Sequence, residues 1–236
     1  DVRAALDQLK AALDKGTTFE KQAALETLGG IKVPVADGIL LDWLEALVAK
    51  KVPAELQLDL LEAAGKRNDP DIKKKLAAFE AARSKTDPLA AYRESLVGGD
   101  AEQGRRIFFF KSEVSCLRCH KIKGEGGEVG PDLFGLAAKQ PREYLLEAIV
   151  SPNAKIAENF DTLVVTLTNG KFLTGILKKD DGKQLQLMTP EGKLLVIPKD
   201  EVDFMQKGKS AMPEDLLKHL SKRDIRDLVE FLATQK

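Results

Sequence analysis

Two cysteines and two histidines are spread over 236 residues, yet both cysteines and one histidine fall in five consecutive positions, Cys116-Leu117-Arg118-Cys119-His120. Two intervening residues bring both sulfurs to one side of a single helical turn, and the imidazole follows at once. That separation matches the two vinyl groups on adjacent pyrrole edges of a porphyrin, with the histidine reaching the iron from the same face. The pattern therefore reads as covalent attachment of one heme c through Cys116 and Cys119, with His120 as an iron ligand. The imidazole then needs an acceptor for its Nδ1 hydrogen, which fixes ring orientation and ligand strength. Pro131 is the expected carbonyl, because proline stiffens that loop and Gly130 lets the chain come close.

Other uses of the motif fit less well. A structural zinc site needs four ligands, and the set available is Cys116, Cys119, His120 and His219, in which adjacent Cys119 and His120 are awkward partners. A thioredoxin-type pair would want a preceding strand in a βαβ setting, whereas Arg105 to Val114 read as a helix and a loop.

An electron carrier keeps both axial positions filled, and a methionine thioether raises the potential relative to a second histidine. Met188 falls in a strand and Met205 at the sheet's exit, where both are expected to pack in a core. Met212, in Ser210-Ala211-Met212-Pro213, lies in a non-helical loop before a helix and is the expected sixth ligand. His219, on the turn around Leu216–Leu220, is its rival.

Along the chain, residues 1–97 read as helix after helix. Leu6, Leu9 and Leu13 keep the helical period, as do Ala24, Leu25 and Leu28. A third helix spans about Val35 to Ala49 with Leu40, Leu41, Leu44, Leu47 and Val48 inward, and Trp43 on its apolar side. Pro53 opens a fourth, Asn68-Asp69-Pro70 caps a fifth, and Asp87-Pro88 starts a short sixth. Paired helices of this length suggest an α-solenoid of HEAT type, without a clean internal repeat. Gly98-Gly99-Asp100 marks a boundary, after which a second domain, 98–236, is expected. From Thr162 the period changes to two. Thr162–Thr168, Lys171–Lys178, Gln184–Thr189 and Lys193–Pro198 are four candidate strands, with Asn169-Gly170 a strong hairpin signal. They form an expected antiparallel meander inserted at about 161–204. The fold class is thus mainly α with a β-insert, α+β overall.

Charge is balanced, 37 basic against 37 acidic residues, which argues against a nucleic-acid binder. No apolar run approaches the roughly 18–20 residues of a membrane span. The chain begins at Asp1 with no methionine, as expected of a processed protein or of a piece cut from a longer one.

The stretch from about Gly98 onward resembles the planctomycete-type C-terminal heme-binding domain, a family of class I cytochrome c kind. The resemblance rests on Gly99-Asp100-Ala101-Glu102-Gln103-Gly104-Arg105-Arg106-Ile107-Phe108, on Cys116 to His120, and on Gly130-Pro131-Asp132-Leu133. It continues through Pro141 to Leu146, Gly208 to Pro213 and Asp227 to Leu232. It implies His120/Met212 ligation, a β-insert before the methionine loop, and Gly104 and Phe108 crossing the last helix near Leu228 and Leu232. It also implies a place after a dehydrogenase in a larger secreted protein.

The expected function is single-electron transfer by one heme, without catalysis of its own. The partners are a dehydrogenase donor and a cytochrome or oxidase acceptor, and the location is periplasmic or otherwise extracytoplasmic. Lys111, Arg118, Lys121, Lys123, Lys207 and Lys209 are expected to rim the heme, either as an ordinary solvated surface or as cations that steer an acidic partner. A heme peroxidase or gas sensor with an open distal site is the alternative; no distal His/Arg pair with recognisable spacing supports it.

Overall fold

A computed structural model describes residues 2–236 and divides the chain into two compact units, Asp1–Gly99 and Asp100–Lys236. The first unit is built from helices α1 (Val2–Lys15), α2 (Thr18–Gly30), α3 (Pro34–Val48), α4 (Ala54–Gly65) and α5 (Pro70–Ala81), then a 3-10 turn, Ala90–Ser95. Local chemistry sets their starts. Thr17 and Glu20 form a reciprocal capping box at α2, and Asp69 caps α5 with Pro70 in its first turn. α2 packs along α4 and α3 along α5, so alternate helices lie side by side over one leucine-rich core. Leu25, Leu28, Leu40 and Leu60 are completely buried there, and Trp43 is partly buried against the same cluster. Burying apolar surface on this scale is the main force holding such short helices together. Val48, expected inward, is 65% exposed, because it is the last residue of α3 and projects past the final packed turn. The unit closes on two polar anchors. Gln22 donates to the carbonyls of Glu55 (2.9 Å) and Gly98 (2.8 Å). Arg83 bridges Glu80 and Glu94 (2.7 Å to Glu94), and these carboxylates raise its pKa above the usual value against the cost of burial.

The second unit begins with α6 (Ala101–Phe110), capped by Asp100, and ends with α9 (Lys222–Ala233), capped by a Ser221/Asp224 box. α6 and α9 cross in close contact. A Cβ at Gly104 would lie 1.9 Å from the Asp227 carbonyl oxygen and 2.7 Å from the Phe231 Cβ. Two backbones can meet this closely only because position 104 has no side chain. Phe108 stacks on Phe231 with ring centroids 5.7 Å apart. α8 (Arg142–Val150) joins this pair through a bidentate Arg142–Glu230 ion pair at 2.7 and 2.8 Å. Between α6 and α8 lie the one-turn helix α7 (Cys116–Cys119) and a small hairpin, β1 (Lys121–Ile122) with β2 (Glu125–Gly126).

Between α8 and α9 the chain forms an antiparallel sheet of β3 (Thr162–Leu167), β4 (Phe172–Asp180), β5 (Gln184–Met188), β6 (Leu194–Pro198) and β7 (Val202–Lys207). The strand order is β6-β5-β4-β3-β7. The sequence predicts four strands, the last ending at Pro198, within an insert at about 161–204. The fifth, β7, extends the insert to Lys207 and lies beside β3, so the first and last strands of the insert are neighbours. Val165, Leu167, Leu185, Leu187 and Ile197 form one buried cluster, lined by further residues of the same sheet, so one face closes largely on itself. Met205, expected in a core, is 39% exposed on the edge strand β7, and Phe172 and Phe204 are 72% and 56% exposed on either side of Thr166. No helix among the described residues is long and apolar enough to cross a membrane.

Candidate functional site

The site starts from a strained bend. Ser115 adopts the left-handed region (φ +46°), which turns the chain sharply out of the preceding loop and lets α7 begin at Cys116. One turn of helix puts Cys116 and Cys119 on the same side. His120 donates its N–H to the Cys116 carbonyl at 2.9 Å and then leaves in extended conformation. The glycine-rich loop that follows is laced onto this turn by backbone bonds. Gly127 N–H bonds Leu117 O (2.9 Å), Gly130 N–H bonds Cys119 O (2.7 Å) and Leu133 N–H bonds Lys121 O (2.9 Å).

Gly130 lies directly against the imidazole, since a Cβ there would sit 2.5 Å from His120 Cε1 and 2.7 Å from Nδ1. Next to it, Pro131 O is 2.9 Å from His120 Nδ1. A neutral imidazole bonded this way carries its hydrogen on Nδ1 and leaves Nε2 with a free lone pair. Burial holds the His120 pKa below its ordinary value, partly offset by the Pro131 carbonyl, so the ring stays neutral and able to ligate a metal. Burial likewise pushes the Cys116 thiol up to about 11, so it is an un-ionised thiol in an apolar setting. Both cysteines are free.

Cys116, Cys119, His120, Pro131 and Met212 all line a single cavity that is continuous with solvent. Its walls are Val114, Val129, Leu133, Leu136, Ile156, Phe160 and Leu216, with Ile176 contributed by the sheet. Ligand pockets commonly have apolar walls and few polar groups, and this lining suits a greasy ligand. The donor set fits heme in kind: two thiols in one turn, a neutral imidazole with its outer nitrogen tied down, and a thioether. Among the described residues no group of three or more His, Cys, Asp or Glu is placed to hold a metal ion, which leaves the four-ligand zinc arrangement without a basis.

The other ligand candidates lie elsewhere. His219 is exposed at the end of a 3-10 turn, Glu214–Lys218, and does not line the cavity. Met188 pairs across the sheet with Ile176 but is not part of the wall. Four of the six cations expected at the rim have carboxylate partners. Lys111 pairs with Asp224 (3.0 Å), Lys121 with Glu128, Lys207 with Asp161 (3.2 Å) and Lys209 with Glu214 (3.3 Å). Lys123 lies 5.5 Å over the Phe134 ring. Carboxylates beside four of these six cations cancel much of the field a docking partner would feel. The lysine that does line the cavity is Lys155, 5.3 Å over Tyr144, and sequence spacing gave no sign of it. Lys178 ties the sheet to the motif loop, donating to Glu128 O at 2.8 Å and lying 5.0 Å over Phe160.

Residues 101–185 match the family model for cytochrome c, which supports a class I cytochrome c-like domain within the C-terminal unit and suggests a heme-based electron-transfer function. The match takes in α6, the Cys116–His120 motif, Pro131 and α8, and stops inside the sheet, before the Met212 loop. No curated protein matches the chain.

Proposed function

We propose that this protein is a monoheme c-type cytochrome that carries single electrons, in which Cys116 and Cys119 would hold one heme covalently and His120 and Met212 would ligate its iron. The observation that carries the reading is the convergence of these four side chains on one apolar cavity, with His120 Nδ1 already committed to Pro131 O. Heme supplies a one-electron Fe(III)/Fe(II) couple. The chain's own residues do the rest. The two cysteines fix the group's position, and Pro131 fixes the imidazole tautomer and ring plane. Apolar walls exclude water, which lowers the rearrangement that accompanies a change of charge, and a thioether ligand favours the reduced state relative to a second histidine. The opening of the cavity to solvent gives a route for electrons to a docked protein, without a bound substrate.

On this reading the donor is a dehydrogenase, fused or docked, and the acceptor another cytochrome or an oxidase. Heme c attachment would, on the same reading, go with a location outside the bacterial cytoplasm. The side-by-side order of α2 with α4 and α3 with α5 supports a HEAT-like role for the first unit as a scaffold.

Protein made in a host competent for heme attachment is expected to be red and to exceed its polypeptide mass by one heme. Colourless protein of bare polypeptide mass overturns the proposal. The oxidised form is expected to show the weak far-red sulfur-to-iron charge-transfer band, lost in Met212→Ala and retained in His219→Ala. A peroxidase or gas sensor would instead show an open sixth position and bind carbon monoxide or cyanide rapidly.

A further inference from the structure

Asn153, in the loop after α8, reaches the Met212 loop with both ends of its side-chain amide. Its Oδ1 accepts the Ser210 N–H at 2.8 Å, and its Nδ2 donates to Oε1 of Glu214. Ser210 and Glu214 stand two residues before and two residues after Met212, and Ser210 Oγ accepts the Met212 N–H at 3.2 Å. One amide thus grips both ends of the segment 210–214 with the methionine at its centre. Pro152 on one side, and Ser210, Ala211, Met212 and Pro213 on the other, line the same cavity. The task needs a short side chain carrying a donor and an acceptor together. Aspartate has no donor, and alanine has neither.

We propose that Asn153 is a positioning residue whose amide clamps residues 210–214 and thereby sets how often the methionine swings away from the iron. The inference rests on Met212 being the sixth ligand. It concerns a second property of the site, namely how firmly that ligand is held.

The test is a titration of the oxidised holoprotein with imidazole, followed by loss of the far-red band. An incoming ligand's apparent affinity scales with the fraction of molecules whose loop is open. Removing both hydrogen bonds is expected to raise that fraction, so Asn153→Ala binds imidazole on the order of tenfold more tightly than wild type. Asn153→Asp is expected to behave like Asn153→Ala, because its carboxylate faces Glu214. Asn153→Asp combined with Glu214→Gln reverses donor and acceptor across the pair and is expected to restore the wild-type affinity. Equal affinities in wild type and Asn153→Ala, with the band present in both, overturn the clamp. Should Asn153→Ala yield no holoprotein, a double variant no closer to wild type than Asn153→Asp overturns it equally. Absence of the band in wild type, or its survival in Met212→Ala, overturns the ligand assignment instead and is read separately from the clamp.

Discussion

Gly104→Val is expected to lower the unfolding temperature of the C-terminal unit by roughly 10 °C. The reasoning starts from a distance: the first added carbon falls 1.9 Å from the Asp227 carbonyl oxygen, well inside contact. The obstacle is backbone, held in the middle of α9, so it cannot rotate away as a side-chain tip would. α6 and α9 must separate. That removes the contact between Phe108 and Phe231 and the bond from Asp100 N–H to Asp227 Oδ1 (2.9 Å). Overpacking of a core generally costs about 1–3 kcal/mol, and a backbone clash belongs at the upper end. For a unit of this size each kcal/mol moves the midpoint by roughly 3–5 °C. Gly104→Ala should shift it in the same direction. The measurement is thermal unfolding followed at the heme absorbance, and an unchanged midpoint for Gly104→Val would refute a tight crossing at this position.

Gly130→Val is expected to damage the site while sparing the fold. The new side chain would occupy the space of the His120 ring, 2.5 Å from Cε1, so the ring must tilt or the loop retreat, and either movement breaks the Nδ1–Pro131 bond. Loss of such an outer partner typically weakens metal binding on the order of 10–100-fold. The expected result is a low yield of heme-loaded protein whose spectrum lacks firm axial histidine coordination, with far-ultraviolet circular dichroism near wild type. A normal yield together with a wild-type spectrum would mean that the ring does not depend on this cradle.

These two glycines also mark how far reading the chain could go. Gly130 is legible because it precedes Pro131 and follows a motif whose chemistry demands a nearby acceptor. Helices in the first unit announced themselves through apolar spacing, since each buries one stripe against the same core. β7 did not. Asp203 to Lys207 are exposed at a sheet edge, so no alternation of polar and apolar residues records which face is inward. Met205 reads as a core residue from its place at the sheet's exit, and an edge strand leaves it in solvent. The residues singled out for the site, Cys116, Cys119, His120, Pro131 and Met212, meet at one cavity. Lys155 and Ile176 are brought to its wall, and Asn153 to the Met212 loop, by the path of the chain between α8 and α9. No local pattern encodes such a meeting. The same holds for the lysines, whose carboxylate partners are set by folding and, at Lys111 and Lys207, lie far along the chain.

The pairing of β3 with β7 has a consequence for how the methionine segment moves. Forty-five residues separate Thr162 from Gly208, yet Gly208 N–H bonds Thr162 O at 2.8 Å, and Thr162 Oγ1 also donates to Lys209 O. A free tether of that length would add slack and a closure cost that grows with the logarithm of its length. Stitched at its base, the whole excursion is mechanically a staple a few ångströms wide. Residues can therefore be added at the distant Asn169-Gly170 or Asp181-Gly182 tips without loosening Met212, whereas a single residue inserted between Thr162 and Val165 would slip the seam and free it.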